Sequence, residues 1–439
     1  MKTIGIDIGT TTIGAVVMDT EKKQVLASKT IPNGSYMETS HEWERIQDVP
    51  LLMERAETVL NELLEQYTDV RAIGLTGQQH GIVYLNQEGT CISPLYTWED
   101  GRGAQPEFDG ESVVSIIKKK YGIPAATGYG LITHLYHCKK GMVPEESAAI
   151  CTIPDYMGMC LTGRKSPLVH TSNASSLGFF DNQKLEFQTE LIADAGMDPA
   201  ILPEVSAEVE VLGYYRGLPV TIALGDNQAS FLGSVGMEEN LWLMDAGTGG
   251  RLSVLSEKYF EAPGIEARPF LQGKYLLNGS TLCAGRAYAI LERFFHRYAK
   301  ALGVEGEQYT LMGKLVQQAE EAAGGLKVKT TFNGTRVNPE VKGSITEINV
   351  ENFTPENLIL GLLYGIAQEF YDMYRVIYEG TGLKAERLLA SGNAVRKNEA
   401  LRKIMEEMFH AEIILADLAE EAACGAAISP VYAGGIQEA

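Results

Sequence analysis

Two short segments, far apart in the chain, combine an aspartate with glycines and threonines as phosphate-binding turns do. The first is Asp7-Ile8-Gly9-Thr10-Thr11-Thr12 and the second is Asp245-Ala246-Gly247-Thr248-Gly249-Gly250. A bound phosphate needs backbone N–H donors and hydroxyls at close range, with few side chains in the way. Glycine allows the close approach, and threonine supplies the hydroxyl. Each segment alone also fits a tight hairpin turn, but two copies between predicted strands favour phosphate binding.

Two aspartates near these turns are candidates for the chemistry itself. Asp7 ends the first apolar run and can hold Mg²⁺, directly or through water, because this ion keeps an octahedral oxygen shell with several waters. Asp226 follows the apolar run 219–224 and a glycine. A carboxylate there can accept the proton of an attacking hydroxyl, as an aspartate does in protein kinases. Asp226 is also a suitable N-cap for a following helix, and the two roles are compatible.

A third group of polar residues has the composition of a sugar site. It consists of Gln78-Gln79-His80-Gly81 and Thr97-Trp98-Glu99-Asp100-Gly101-Arg102. Amide, carboxylate and guanidinium groups beside a tryptophan can bind a polyhydroxyl chain. His80 has no H-E-x-x-H neighbour, and for a single histidine of this kind a structural role is the more common one. We hypothesise that His80, Asp100 and Arg102 bind a sugar.

The elements that must position these residues follow from hydrophobic periodicity. Apolar runs at 3–8 and 13–18 flank the first turn and predict a hairpin, and runs at 241–244 and 251–255 do the same for the second turn. Further strands are predicted at 26–30, 70–76, 82–85 and 388–390. Helices are predicted at 42–67 (broken or restarted at Pro50), 284–302 (with Ile290, Leu291, Phe294 and Phe295 on one face), 357–378 and 398–409. Mixed strands and helices predict an α/β protein.

Length and composition limit the remaining possibilities. A chain of 439 residues exceeds one hydrophobic core, and the strand pattern restarts near 232–240, so we predict domains at 1–234 and 235–439 with a cleft between them. The net charge of −20 argues against a nucleic-acid partner. The six cysteines have no C-x-x-C spacing, and no apolar run reaches the roughly 20 residues of a membrane span. With no signal peptide pattern at the N-terminus, a cytoplasmic protein is expected.

Together these motifs resemble those of the FGGY carbohydrate kinases, within the actin/Hsp70/sugar-kinase superfamily, over nearly the whole chain. GIDIGTTT and GTGGRLS resemble the two phosphate motifs, and ALGDNQAS resembles the segment with the catalytic aspartate. TGQQHG, TWEDGR, PDYMGMCLTG and TSNASSLGFFD resemble segments of the sugar-binding half, with Gln79 where methionine is usual. ASGNAVRKNEALRKIMEEMF resembles the adenosine motif, in which Gly392-Asn393 packs on the purine.

The resemblance implies two ribonuclease-H-like (actin-like ATPase) domains that close on ATP, Mg²⁺ and a sugar. It implies phosphorylation of a terminal hydroxyl of a ketose, with a lean towards sedoheptulokinase-like members. The residues assigned to ATP and its phosphates are Gly9, Thr10, Thr11, Thr12, Gly247, Thr248, Gly249, Gly392 and Asn393. Those assigned to the substrate are Gln79, His80, Asp100, Arg102, Asn173 and Asp226. Asp226 would be the catalytic base, and Asp7 and Asp226 would hold the metal.

Two departures from the family pattern keep alternatives open. The chain is shorter than many members, and Asp245 stands where a small polar residue is more usual. One alternative is an actin- or Hsp70-like ATPase switch without a sugar, and another is a non-catalytic, sugar-responsive regulator. Turnover of ATP with and without ketoses separates these functions. The expected partners are a small sugar and ATP, with no nucleic acid and no membrane, and a homodimer stays open.

Overall fold

The computed structural model describes residues 1–416 and 419–436. They form two compact units. The first contains Met1–Gly236, Arg268–Gly273 and the described C-terminal segment 419–436. The second contains Met237–Ala267 and 274–416. No helix within the described ranges is both long and apolar enough to span a membrane.

The first unit has short strands and helices around one large sheet. Its strands are β1 (Lys2–Ile8), β2 (Thr12–Asp19), β3 (Gln24–Pro32), β4 (Ile46–Gln47), β5 (Ile73–Gly77), β6 (Val83–Leu85), β7 (Leu95–Tyr96), β8 (Ala149–Cys151), β9 (Leu168–His170), β10 (Phe180–Asp181), β11 (Glu186–Phe187), β12 (Glu204–Ser206), β13 (Val211–Tyr215), β14 (Leu218–Thr221) and β15 (Leu224–Gly225). Its helices before the chain crosses into the second unit are α1 (Val49–Gln66), α2 (Val113–Tyr121), α3 (Gly130–Lys140), α4 (Ile153–Thr162), α5 (Thr171–Ala174), α6 (Thr189–Asp194) and α7 (Asp226–Ser234).

The second unit repeats this layout with fewer elements. Its sheet contains β16 (Leu241–Ala246), β17 (Gly250–Ser256), β18 (Ile265–Pro269, which ends in the first unit), β19 (Tyr275–Thr281), β22 (Arg387–Ser391) and β23 (Glu412–Leu415), and a small hairpin contains β20 (Lys327–Lys329) and β21 (Ser344–Thr346). Its helices are α8 (Gly285–Ala301), α9 (Tyr309–Leu315), α10 (Pro355–Thr381), α11 (Asn393–Lys397) and α12 (Glu399–Phe409), and α13 (Glu421–Ile428) returns to the first unit. Short 3₁₀ turns lie at Arg102–Ala104, Ser175–Leu177, Pro199–Ile201, Leu271–Gly273, Val316–Gln318, Glu321–Gly325 and Ser429–Tyr432.

The two large sheets share one five-stranded arrangement. In the first unit, β3, β2 and β1 are antiparallel neighbours, and β5 and β14 continue the sheet in parallel. In the second unit, β19, β17 and β16 are antiparallel neighbours, and β22 and β23 continue it in parallel. Each phosphate-type turn therefore joins the first two strands of the same topology, as the repeated motif predicts.

Alternation along the strands decides which side chains reach the core. In β1, Ile4, Ile6 and Ile8 are buried on the face that packs against α1 and the main core. Asp7 lies on the opposite face because successive side chains of a strand alternate. In the second unit, the core residues Trp242, Met244 and Ala246 alternate in the same way with Asp245.

The C-terminal segment packs in the first unit, whereas the predicted boundary at 234/235 assigns it to the second domain. Helix α13 covers the Asp7-bearing face of the sheet, where small residues let its backbone approach closely. A Cβ on Gly5 would lie 1.9 Å from the Ala423 carbonyl oxygen, and a Cβ on Gly425 would lie 1.8 Å from that of Ala229 in α7. Position in the chain gives no information about such a return, because α13 lies about 195 residues from α7 and more than 400 residues from β1.

Two predicted helices differ in detail from the structure. The helix predicted to begin at 42 begins at Val49, because Asp48 caps it by accepting from the Leu51 N–H and Pro50 fits the first turn. In α8, Leu291 is buried, but Phe294 is 61% exposed and does not share the buried face. The other strands and helices predicted around the motifs are confirmed to within a few residues.

Candidate functional site

The backbone of the first turn is oriented with its carbonyls inward. Asn33 Nδ2 donates to the Gly9 carbonyl at 2.7 Å, Gln47 Nε2 to that of Thr10 at 2.9 Å, and the Asn33 N–H to that of Thr11 at 2.8 Å. The N–H groups of Thr10 and Thr11 have no acceptor in the described part of the chain. Donors without partners at an exposed turn suit an anion. A simple hairpin turn has no need of this arrangement.

The strand register brings Asp226 to the first turn. Gly225 of β15 pairs with Gly77 of β5, and Gly77 pairs with Ile8 of β1. Parallel strands that are in register end at the same sheet edge, so Asp226 begins α7 at the edge where the turn follows Ile8. Asp226 is the first residue of the helix, and Gly225 occupies the cap position.

Negative charge accumulates around Asp7. Burial, followed by the charges of Asp226 and Glu420, raises the pKa of Asp7 to about 7. Across residues 1–416 and 419–436, no group of three or more His, Cys, Asp or Glu side chains could hold a metal ion. Two nearby carboxylates still fit Mg²⁺, because this ion takes few protein ligands and completes its shell with water and phosphate oxygens.

Gln79 lies inside the first unit and contacts three neighbours. Its Nε2 donates to the Ser172 carbonyl at 2.9 Å and to Gln228 Oε1 at 3.3 Å, and its Oε1 accepts from Asn227 Nδ2 at 3.0 Å. The side chain is 2% exposed. Its amide therefore connects the end of β5 to α5 and to the helix that begins with Asp226.

His80 is the partly exposed member of the predicted sugar group. Its backbone is left-handed, with φ of 72°, and its ring stacks on Tyr129 with centroids 4.7 Å apart. Its Nδ1 lies 2.7 Å from the Ser176 carbonyl oxygen. A carbonyl only accepts, so Nδ1 carries the proton of this contact. Strained backbone and fixed ring orientation are typical of a functional side chain.

Asp100 and Arg102 form a buried pair. Arg102 Nε lies 2.6 Å from Asp100 Oδ1, and its Nη2 lies 3.0 Å from Oδ2. Arg102 also contacts His137 Nε2 and lies over the Tyr96 ring, 4.4 Å from its centroid. Both side chains are at most 2% exposed. Direct contact of both side chains with a sugar was predicted. In the structure both are buried and bonded to each other, and the pair fixes the segment that carries Trp98.

A chain of buried polar groups continues from Arg102. The Tyr84 hydroxyl lies 2.9 Å from Nδ1 of both His137 and His134. Burial, followed by the nearby charge of Arg102, lowers the pKa of His137 to about 3, and burial lowers that of His134 to about 4. Both rings are neutral near pH 7, so this network contributes hydrogen bonds without adding charge.

Asn173 lies beneath the same region. Its Nδ2 donates to the Ala223 carbonyl at 3.2 Å and lies 3.4 Å from Asp155 Oδ1. It is completely buried, and burial raises the pKa of Asp155 to about 7. Asn173 thus supports the strand that leads to Asp226.

Trp98 is exposed and was not among the predicted sugar-binding residues. It is 48% exposed, and its indole Nε1 donates to Thr10 Oγ1 at 2.9 Å. An exposed aromatic ring held by a polar contact can pack against the apolar face of a sugar. Its place in the polar segment Thr97–Arg102 was the available signal in the sequence.

The second turn, in the second unit, repeats the backbone pattern of the first. The Gly247 carbonyl accepts from the Gly285 N–H at 2.9 Å, and the Thr248 carbonyl accepts from the Arg286 N–H at 3.0 Å. For the N–H groups of Thr248 and Gly249, the described residues provide no acceptor. Thr12 in the first turn and Thr248 in the second both have exposed side chains.

A cavity of about 1170 Å³ in the second unit brings together four of the predicted nucleotide residues. Gly247, Thr248, Gly392 and Asn393 line it. Gly392 has φ of 90°, and a Cβ there would lie 2.4 Å from the Ala246 carbonyl oxygen, so the two glycine turns are in direct contact. The lining also includes the basic residues Arg286, Lys397 and Lys403 and the stacked pair Tyr288 and Tyr309.

Asp245 lies in β16 beside this turn. Its Oδ1 is 3.4 Å from Ser391 Oγ, and Arg251 is its directly opposed residue in the antiparallel register. Opposite charges across a strand pair stabilise a sheet. A facing arginine accounts for a carboxylate so close to a predicted phosphate site.

Comparison with known families agrees with the two units and their turns. Residues 2–233 match the FGGY family of carbohydrate kinases, N-terminal domain, and residues 243–434 match the FGGY family of carbohydrate kinases, C-terminal domain. The chain belongs to the FGGY family of carbohydrate kinases. It is therefore an ATP-dependent carbohydrate kinase.

Individual relatives cover nearly the full chain. Human sedoheptulokinase is 26% identical over 452 residues, which is 93% of this chain and 92% of that protein. A xylulose kinase of Haemophilus influenzae is 26% identical and covers 98% of this chain and 90% of its own. The xylulose kinase structure from Rhodospirillum rubrum has a TM-score of 0.82 at 22% identity, covering 98% of this chain and 89% of that one. These likenesses confirm the predicted α/β, actin-like ATPase fold.

Proposed function

We propose that this kinase transfers the γ-phosphoryl group of ATP to a terminal hydroxyl of a ketose, either sedoheptulose or a related sugar such as xylulose. One observation carries the proposal. Each unit has a turn whose carbonyls accept hydrogen bonds from the same unit and whose N–H groups have no acceptor among the described residues. In the first unit, Asp226 lies at the sheet edge where this turn begins. Relatives of nearly equal length named sedoheptulokinase and xylulose kinase support the ketose.

Each predicted residue has a role in this reaction. Asp226 accepts the proton of the sugar hydroxyl, and the N–H groups of both turns bind the phosphates. Asp7 and Asp226 would hold Mg²⁺ through water. When bound, the ion neutralises charge on the transferring phosphoryl group. Gly392 and Asn393 line the cavity and pack on the purine. Arg286 and Lys397 line the same cavity and offset the charge of the phosphates.

The sugar side is built for a neutral substrate. The guanidinium of Arg102 is already paired with Asp100, so it is not available to a substrate carboxylate. A sugar acid such as gluconate would bring an uncompensated charge to a site that already holds Asp7 and Asp226. His80 and Trp98 contact the ketose, while Gln79, Asp100, Arg102 and Asn173 hold them in place.

A coupled assay of ADP release across sugars tests the function. We expect stimulation by sedoheptulose or xylulose, weaker stimulation by ribulose, fructose, rhamnulose, glycerol or erythritol, and none by gluconate, with one sugar phosphate formed per ADP. ATP hydrolysis that no sugar stimulates would indicate an ATPase switch. A sugar-induced rise in melting temperature without turnover would indicate a regulator.

Asp226→Asn tests the proposed base. We expect the turnover number to fall by about 10²–10⁴-fold, because a positioned base contributes that much. ADP affinity, measured by calorimetry, should stay within about twofold of the wild type because the purine cavity lies in the other unit. Near-normal sugar phosphorylation by this variant contradicts the role of Asp226.

A further inference from the structure

A closed ring of hydrogen bonds passes through the first phosphate turn. Trp98 Nε1 donates to Thr10 Oγ1 at 2.9 Å, and Thr10 Oγ1 donates to Gln78 Oε1 at 3.4 Å. Gln78 Nε2 donates to Gln47 Oε1 at 2.8 Å, and Gln47 Nε2 returns to the Thr10 carbonyl at 2.9 Å. The indole N–H can only donate, so the hydroxyl accepts from it and points its own proton at Gln78.

The closed ring consists of Thr10, Gln78 and Gln47, and the hydrogen bond from Trp98 attaches an exposed side chain to it. Trp98 is 48% exposed, whereas Gln47 and Gln78 are at most 3% exposed. Thr10 is held at two points, since its hydroxyl binds Trp98 and Gln78 while its carbonyl binds Gln47. Its carbonyl orientation sets the direction of the next N–H, that of Thr11, because both belong to one planar peptide unit.

Thr10 and Thr11 are therefore not equivalent. The Thr10 hydroxyl accepts from Trp98 and faces Gln78 Oε1 across a long contact of 3.4 Å, so donating its proton to a phosphate oxygen would turn it away from Gln78. Thr11 has an exposed side chain whose hydroxyl makes no hydrogen bond within the described chain. Two adjacent threonines of one phosphate motif thus have different tasks.

We propose that the Thr10 hydroxyl is a positioning group that couples the sugar and nucleotide sites. A ketose packed on Trp98 holds the indole in the orientation that donates to Thr10. The ring then fixes the peptide unit between Thr10 and Thr11, so that the Thr11 N–H is oriented to bind phosphate. A nucleotide bound there fixes Trp98 in return, since coupling between sites is reciprocal. The inference rests on the proposed function for the sugar position beside Trp98.

The decisive measurement is the ratio of sugar affinities with and without nucleotide. Calorimetry with sedoheptulose and with xylulose, each alone and with saturating ADP and Mg²⁺, gives this ratio for each variant. In the wild type we expect it to lie within the range of about 5–150-fold that is typical of coupled sites. In Thr10→Val, which replaces the hydroxyl by a methyl group of similar size, we expect a ratio near one, with sugar affinity in the absence of ADP changed less than about threefold.

Three further variants separate coupling from ordinary structural damage. Thr10→Ser keeps the hydroxyl and should restore the wild-type ratio. Thr11→Val is the matched control, and it should weaken ADP binding while the ratio stays unchanged. Trp98→Phe breaks the same hydrogen bond from the exposed side, so it should give a ratio near one even if Thr10→Val folds poorly. Combining Trp98→Phe with Thr10→Val should not lower the ratio below that of either single variant, because both break one hydrogen bond.

A second readout does not depend on which sugar binds. Protein labelled with 5-fluorotryptophan has three indole signals, from Trp43, Trp98 and Trp242, and Trp98→Phe identifies the relevant one. ADP with Mg²⁺ should shift the Trp98 signal in the wild type and Thr11→Val, but not in Thr10→Val. If no sugar binds yet this pattern holds, the proposed substrate is wrong and the coupling stands. An unresponsive Trp98 signal in the wild type, or a wild-type ratio and shift in Thr10→Val, overturns the coupling.

Discussion

Asp100 and Arg102 make a charge pair that water does not reach, with nitrogen–oxygen contacts of 2.6 and 3.0 Å. Removing one member of such a pair leaves a buried charge without compensation, at a cost of about 3–5 kcal/mol. We expect Arg102→Ala to lower the free energy of unfolding by that amount, as measured by urea denaturation.

The matched control for this pair is an exposed one. Arg375 and Glu379 lie one helical turn apart on α10 with side chains more than half exposed. Arg375→Ala should change the free energy of unfolding by less than about 0.5 kcal/mol. If both alanine variants are equally stable, the Asp100–Arg102 pair is not the anchor of its segment.

His134 allows a prediction of pH dependence. Burial lowers its pKa to about 4, while the unfolded chain keeps the ordinary value near 6.5. The unfolded state therefore takes up a proton between these values that the folded state does not, so stability is lost as the pH falls through this window. His134→Gln should lose roughly 1–2 kcal/mol less stability than the wild type between pH 7 and pH 5.

At the scale of elements, α13 lies where glycines permit close contact. A Cβ at Gly425 would lie 1.8 Å from the Ala229 carbonyl oxygen in α7, the helix that begins with Asp226. Gly425→Ala should therefore cost about 1–3 kcal/mol of stability and also reduce turnover, because α7 must shift. Gly434→Ala, where a Cβ meets nothing within 4 Å, is the control. Equal melting temperatures for the two variants would argue against close α13–α7 packing.

At the scale of the whole molecule, ADP and the ketose should protect different parts of the chain. The cavity with Gly247 and Gly392 belongs to the second unit, while His80 and Trp98 belong to the first. Hydrogen exchange should show that ADP slows exchange at 247–249, 285–288 and 392–403 and at the first turn, 9–12, and that the ketose slows it at 78–80 and 97–99. Ligand binding stabilises the fold by about 2.7 kcal/mol at 100 times its dissociation constant, so the effect is measurable. Protection by ADP confined to the first unit contradicts the assignment of the cavity.

Local patterns were sufficient for the parts of the site that lie within a few consecutive residues. The hairpins around both turns, the glycine and threonine content of the turns, and the strand before Asp226 follow from alternation and from glycine chemistry. These signals are reliable because a turn and its two flanking strands are neighbours in the chain. The same holds for α10, whose cap at Thr354 and first-turn proline are adjacent residues.

Contacts between distant segments decided the rest. The sequence by itself predicted two turns of the phosphate-binding type, an α/β fold of two repeated halves and Asp226 as the candidate base. Only the tertiary structure showed that the Arg102 guanidinium is bonded to Asp100 and His137, that Trp98 donates to Thr10, and that α13 returns to the first unit. The physical reason is that burial and pairing depend on which segments meet in space, and a residue's type does not reveal its partner.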